Sequence, residues 1–77
     1  MEKIEQADKM LIGERIRSVR KDMKLTQKDV CEALNIPQPN LSLYEKGINR
    51  PPLNFLIAFA KCYNVSIDYL VGVSERR

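Results

Sequence analysis

Histidine does not occur in the 77 residues, and there are only two cysteines and three glycines. The missing histidine removes the commonest general base and the commonest metal ligand. Cys31 and Cys62 alone make a poor zinc site, because a structural zinc wants four soft ligands. One disulfide is arithmetically possible, although in a reducing compartment the pair stays as two thiols. The glycines are scattered, so there is no glycine-rich loop to cradle a phosphate. No nucleophile has a base beside it. These absences argue against an enzyme, and no cofactor, metal or small-molecule ligand is evident.

Long apolar runs are missing too. The longest is far too short to cross a bilayer, so no membrane partner is expected. Residues Met1 to Lys9 are mostly polar and lack the apolar centre of a signal peptide, which makes the cytoplasm the expected location. What remains is 44% hydrophobic and 30% charged, a globular mix. The length allows one domain with a modest core, to which dimerisation or ligand binding would add stability.

The net charge is +3, unevenly spread. Residues 1–12 carry two lysines against three acids. Residues 13–50 carry eight lysines and arginines against five acids, and residues 51–77 carry three against two. The excess sits in the first two thirds of the chain, where a polyanion would dock.

Ile12, Ile16, Val19 and Met23 are spaced four, three and four, the apolar stripe of an amphipathic helix. Arg15, Arg17, Arg20 and Lys21 fall away from that stripe. Thr26 reads as an N-cap, with Asp29 completing a short-armed capping box. A second helix then runs from Gln27 to Leu34, with Val30 and Leu34 inward. Asn35 stops it, since asparagine tolerates the left-handed conformation. Pro37 and Pro39 mark the start of a third helix, because proline is tolerated in a first turn. That helix runs to about Glu45 with Leu41 and Tyr44 inward, and Gly47 ends it. After the loop 47–52, Pro52 opens a fourth helix through about Cys62. Leu53, Leu56, Ile57 and Ala60 are its expected core stripe, and Asn64 closes it. Ser66 caps a short fifth helix holding Ile67, Leu70 and Val71. The alternation of Val65, Ile67, Tyr69, Val71 and Val73 also fits a strand. A lone strand has no partner in an otherwise helical chain, so a helix is preferred.

Two short helices joined by a tight turn are the outline of a helix-turn-helix. Leu25-Thr26-Gln27, Leu34-Asn35-Ile36, Leu41, Tyr44-Glu45-Lys46-Gly47, Pro51 and Val65-Ser66-Ile67-Asp68-Tyr69-Leu70 follow in order. This run resembles the phage repressor/Cro (XRE-type) family of DNA-binding domains from Gly13 to Gly72. The resemblance implies an all-α, compact five-helix, lambda-repressor-like fold whose third helix enters the major groove. The expected division is an N-terminal extension at 1–10, the domain at 11–72 and a C-terminal tail at 73–77. Gln38, Pro39, Asn40 and Leu43 match the positions that face base edges. Gln27 matches a phosphate-binding glutamine, and Lys46, Asn49 and Arg50 match a loop that touches phosphates. Arg20 and Glu45 match an ion pair between helices 1 and 3, whose arginine also lies near the DNA backbone. The chain departs from the pattern at Asn35 (usually Gly), Pro37 (usually a Ser or Thr cap), Pro39, which donates nothing, and Leu43. Its recognition face is therefore short of donors. Cys31 takes the place of a small packing residue and reads as a buried hydrophobe.

Chemistry supports several of these positions independently. Gln38 and Asn40 carry amides that bond adenine bidentately, and an exposed Leu43 suits a thymine methyl. Leu43 also fits a partly buried packing position. Gln27 stands at a helix start that favours an anion. Arg17, Lys24, Lys28, Lys46 and Arg50 are candidate phosphate contacts that add sequence-blind affinity. Phe55, Ala58 and Cys62 are spaced three and four on another side of the fourth helix. An exposed apolar patch there would mark a homodimer interface together with the start of helix 5.

The leading expectation is a sequence-specific regulator of transcription, acting as a repressor. It would bind a pseudo-palindromic operator in double-stranded DNA as a homodimer. For phage-repressor dimers in general, half-sites lie about one helical turn apart, roughly 34–36 Å. No sensor domain follows within these residues, which suits a phage repressor, an antitoxin or a restriction-modification controller. The alternative is a protein-interaction module of the same fold, such as an antitoxin-type partner-binding domain, favoured by the prolines and Leu43.

Overall fold

A computed structural model describes the backbone of residues 4–77 and the side chains from residue 9 onward. The first three residues of the expected extension lie outside the described residues. Five helices follow in order: α1 (Ile4–Asp22), α2 (Gln27–Leu34), α3 (Gln38–Glu45), α4 (Leu53–Tyr63) and α5 (Ile67–Val71). Among the described residues there is no strand, so 65–73 is a helix with its caps. No described helix is long and apolar enough to cross a membrane.

Helix α1 runs back to Ile4, into the segment read as an extension. Its stripe buries Ile12, Ile16 and Val19 completely or nearly so. Met23, expected to continue the stripe, is exposed instead. The helix has already ended at Asp22, and Lys24 turns the chain at φ 60°, so the 3.6-residue period no longer aims Met23 inward.

Local chemistry sets the ends of α2. The Thr26 hydroxyl accepts from the Asp29 N–H at 3.0 Å, and the Asp29 carboxylate accepts from the Thr26 N–H at 2.9 Å. Those bonds hold the Asp29 carboxyl below its ordinary value, the backbone N–H of Thr26 contributing most. Asn35 ends α2 at φ 57°, and Asn64 ends α4 at the same angle. Pro37 caps α3 without a side-chain bond, and Pro39 sits in the first turn, where no helical partner awaits its nitrogen.

The core joins α1 to α3 and α5, and α2 to α3 and α4. Its centre is a ring series running Tyr44, Phe55, Phe59, Tyr63, with centroids 5.0, 5.8 and 4.9 Å apart. These tilted pairs bury large areas in favourable geometry. They also fix the rotation of α4, which differs from expectation. Phe55, expected on an outer face as part of a dimer patch, is 5% exposed and belongs to the core. Leu53 and Ile57, expected inward, are 65% and 41% exposed. Phe59 is the reason: fully buried, it draws the face bearing Phe55, Leu56 and Ala60 inward. Burying two aromatic rings outweighs burying two aliphatic side chains.

Residues 73–77 fold back on α1. Arg15 Nη1 donates to the carbonyls of Tyr69 and Ser74, each at 2.8 Å. Ser66 N–H donates to the Arg77 carbonyl at 2.7 Å. Arg77 Nη2 reaches Asp22 at 2.7 Å and the Ser18 hydroxyl at 3.0 Å. The guanidinium groups of Arg15 and Arg77 lie 4.2 and 5.3 Å from the Tyr69 ring centroid.

Both cysteines are thiols; Cys31 is buried and Cys62 exposed. Burial, and secondarily the charge of Glu45, pushes the Cys31 thiol up and keeps it protonated.

Candidate nucleic-acid interface

Asn35 and the two residues after it turn the chain between α2 and α3 and present α3 at the surface. Leu41 and Tyr44 fasten α3 to the core. The opposite face is left outward: Pro39 is exposed, and Leu43 and Ser42 are half-buried. Gln38 and Asn40 are exposed on its flanks.

On one flank lies an open polar cleft of about 470 Å³, lined by Arg17, Arg20, Lys21, Gln27, Ser42, Glu45 and Lys46. It brings four cations together around one carboxylate. Glu45 organises it. One carboxylate oxygen accepts from Arg20 Nε at 2.7 Å. The other accepts from Arg20 Nη2 at 3.0 Å and from Gln27 Nε2 at 3.1 Å. Arg20 Nη1 donates to the Leu25 carbonyl at 2.8 Å. The bidentate pair has side chains 10% and 3% exposed. Arg20 is thus engaged in the ion pair expected between α1 and α3. Its guanidinium is nearly enclosed and occupied by α3 and the Leu25 turn, so it is a positioning group. Gln27 is half-buried, and its amide is oriented by Glu45.

The remaining cations, Arg17, Lys21 and Lys46, stand exposed at the rim. The first backbone N–H groups of α2 add positive potential beside Gln27. The cleft therefore suits an anion such as a phosphate oxygen.

On the other flank a groove of about 380 Å³ separates α3 from the start of α4. It is neutral, and Asn35, Asn40 and Asn54 supply its polar lining. Asn40, expected to face base edges, is exposed at the edge of this groove, on the flank of the ridge.

The structure gathers Arg17, Gln27 and Lys46 with Arg20 and Glu45 in one cleft. Lys24, Lys28, Asn49 and Arg50 are exposed but line neither opening. Two lining residues were missed by sequence reasoning, Lys21 and Ser42. Lys21 had a signal, lying four residues after Arg17 and so on the same helical face. Ser42 had the same kind of signal, lying four residues before Lys46. Among the described residues no group of acids, cysteines or histidines has the makings of a metal site.

The helix-turn-helix family profile matches residues 16–70. The HTH-type transcriptional regulator ImmR of Bacillus subtilis is 41% identical over 66 residues, covering 86% of this chain and 52% of that protein. The immunity repressor of Bacillus phage phi105 is 33% identical over 63 residues, covering 82% of this chain and 44% of its own length. The chain thus spans about half the length of these curated relatives. Among solved structures, the P22 c2 repressor in complex with a synthetic operator is 31% identical with a TM-score of 0.76, covering 83% of this chain and 97% of that one. The restriction-modification controller C.AhdI from Aeromonas hydrophila has the same TM-score at 20% identity, a likeness of fold.

Proposed function

The chain belongs to the helix-turn-helix family, and from that premise we propose that it is a sequence-specific DNA-binding regulator of transcription. It acts as a repressor, in the cytoplasm, and seats α3 in the major groove of a pseudo-palindromic operator. The observation that carries this reading is the outward ridge of α3 beside a cleft whose rim holds Arg17, Lys21 and Lys46. The major groove admits an α-helix presented in this way, and the rim cations suit the phosphates bordering that groove. The likeness to a repressor solved on an operator supports the same reading. Repression by occupying the operator needs no further surface, and no catalytic step belongs to it.

Gln38 and Asn40 read bases, with Pro39 and Leu43 between them. Arg17, Lys21, Gln27 and Lys46 hold phosphates of one strand. Lys24, Lys28 and Arg50 contribute diffuse charge, and Asn49 offers a neutral amide to the same backbone. Selection from random duplex DNA, then titration at two salt concentrations, tests this. A palindrome should be enriched, with affinity falling steeply as salt rises. Lys46→Ala should weaken all sequences alike and lower the salt slope by about one. Gln38→Ala should relax selectivity at one position, at a cost of about 1–3 kcal/mol. No enrichment, with only weak binding, would shift the function to a protein partner.

The dimer contact is assigned to the exposed side of α4, with Leu53 and Ile57 taking the place expected for Phe55 beside Ala58 and Cys62. Exposed large aliphatic side chains on one helix are a partner surface. Ile57→Asp should leave the fold intact, make the protein sediment as a monomer at micromolar concentration and weaken binding to the palindrome. An unchanged sedimentation profile would place the contact elsewhere.

A further inference from the structure

The outward ridge of α3 has few groups able to read a base by hydrogen bonding. Pro39 has no N–H and no polar side-chain atom. Leu43, four residues on, stands one turn away on the same face. Leu41 and Tyr44 are committed to the core and Glu45 to Arg20, so none of them turns outward. The polar neighbours Gln38 and Asn40 flank the ridge. Apart from the half-buried Ser42, its crest is apolar, exposed at Pro39 and half-exposed at Leu43.

In the major groove a crest of this kind has one natural counterpart. Thymine presents a C5 methyl there, whereas unmodified cytosine presents only hydrogen at the same carbon. We propose that Pro39 and Leu43 read pyrimidine 5-methyl groups, so that the half-site is specified by where its methyls stand. The proposal rests on the DNA-binding reading above and deepens it. It has a consequence that hydrogen-bond readout lacks: methylating cytosine at C5 restores the group the ridge reads. At a position read in this way, 5-methylcytosine gains on cytosine as thymine gains on uracil.

Covering one methyl-sized group corresponds to about 0.8 kcal/mol, or about fourfold in affinity. The test uses the whole chain and a duplex that it has selected. Each thymine of the half-site is replaced singly by deoxyuracil, which removes the methyl and keeps every hydrogen-bonding edge. One or two positions should lose about fourfold. At those positions a C·G pair should gain about fourfold when its cytosine is 5-methylated. Leu43→Ala should erase the thymine-over-uracil preference at one such position, and Pro39→Ala, at an exposed helical site where alanine folds readily, should erase it at the other. Selective binding that ignores the methyl at every position would overturn this proposal and leave the DNA-binding reading standing. Failure to select any duplex would overturn both.

Discussion

Glu45→Ala is expected to cost about 3–5 kcal/mol of stability, because it strands a buried guanidinium. A domain of this size holds only about 4–12 kcal/mol in all, so the variant should lose a large part of its stability and unfold at a much lower denaturant concentration than the parent. Glu45 is the single acceptor for three donors, two from Arg20 and one from Gln27. Arg20 keeps its bond to the Leu25 carbonyl but has no other counter-charge in the cleft. Urea or thermal denaturation followed by circular dichroism measures the loss. The double variant Arg20→Met, Glu45→Leu separates causes. It removes both charges, so it should recover most of the stability. It should still bind DNA poorly, because nothing then orients the Gln27 amide. A Glu45→Ala protein that melts like its parent would show that the pair carries no structural weight.

Gly13→Ala should be nearly as damaging, at about 3 kcal/mol. Within a helix this exchange ordinarily stabilises by nearly 1 kcal/mol. Here α1 crosses the end of α3 so closely that a Cβ on residue 13 would collide with the Tyr44 carbonyl and stand 2.9 Å from that of Glu45. Both obstacles are backbone, so no side chain can swing aside. To admit the methyl, α1 must lift from α3, which separates Arg20 from Glu45. The same denaturation experiment decides the matter, and a Gly13→Ala protein more stable than its parent would refute the close crossing.

Much of the fold could be read where the chemistry is local. Thr26 with Asp29 and the left-handed Asn35 bound α2 within one turn of their own residues. Helix α5 follows from Ser66, whose hydroxyl accepts the Tyr69 N–H. The face of α4 could not be read in this way. Its sequence is apolar nearly all round, so periodicity leaves several rotations open. Contact with Tyr44 from α3 and burial of Phe59 choose among them, and both depend on tertiary packing. The outward turn of Met23 has a similar cause, a helix ending one residue too soon for its stripe.

The candidate site divides in the same way. Gln38 and Pro39 are legible as surface residues because two prolines announce the start of α3. Nothing local connects Arg20 with Glu45, 25 residues away, and only the family resemblance put them together. The approach of Gln27 to that same carboxylate, and the position of Asn40 beside a second groove, had no signal in the sequence. Each depends on the angle at which α3 leaves the Asn35 turn.

The folded-back residues 73–77 also bear on the order in which the molecule assembles. Arg15 is joined to Tyr69 and Ser74 across 54 and 59 positions, and Ser18 to Arg77 across 59. Closing loops of that length costs more entropy than closing the short loop between α2 and α3. During synthesis the first three helices are available before the residues that tie down α1, so these contacts form late. Contacts that form after the rate-limiting barrier mainly slow unfolding rather than speed folding. The lifetime of the folded domain against transient opening, and hence against proteases, is therefore expected to follow the contacts that Arg15 and Arg77 make around the buried Tyr69 ring.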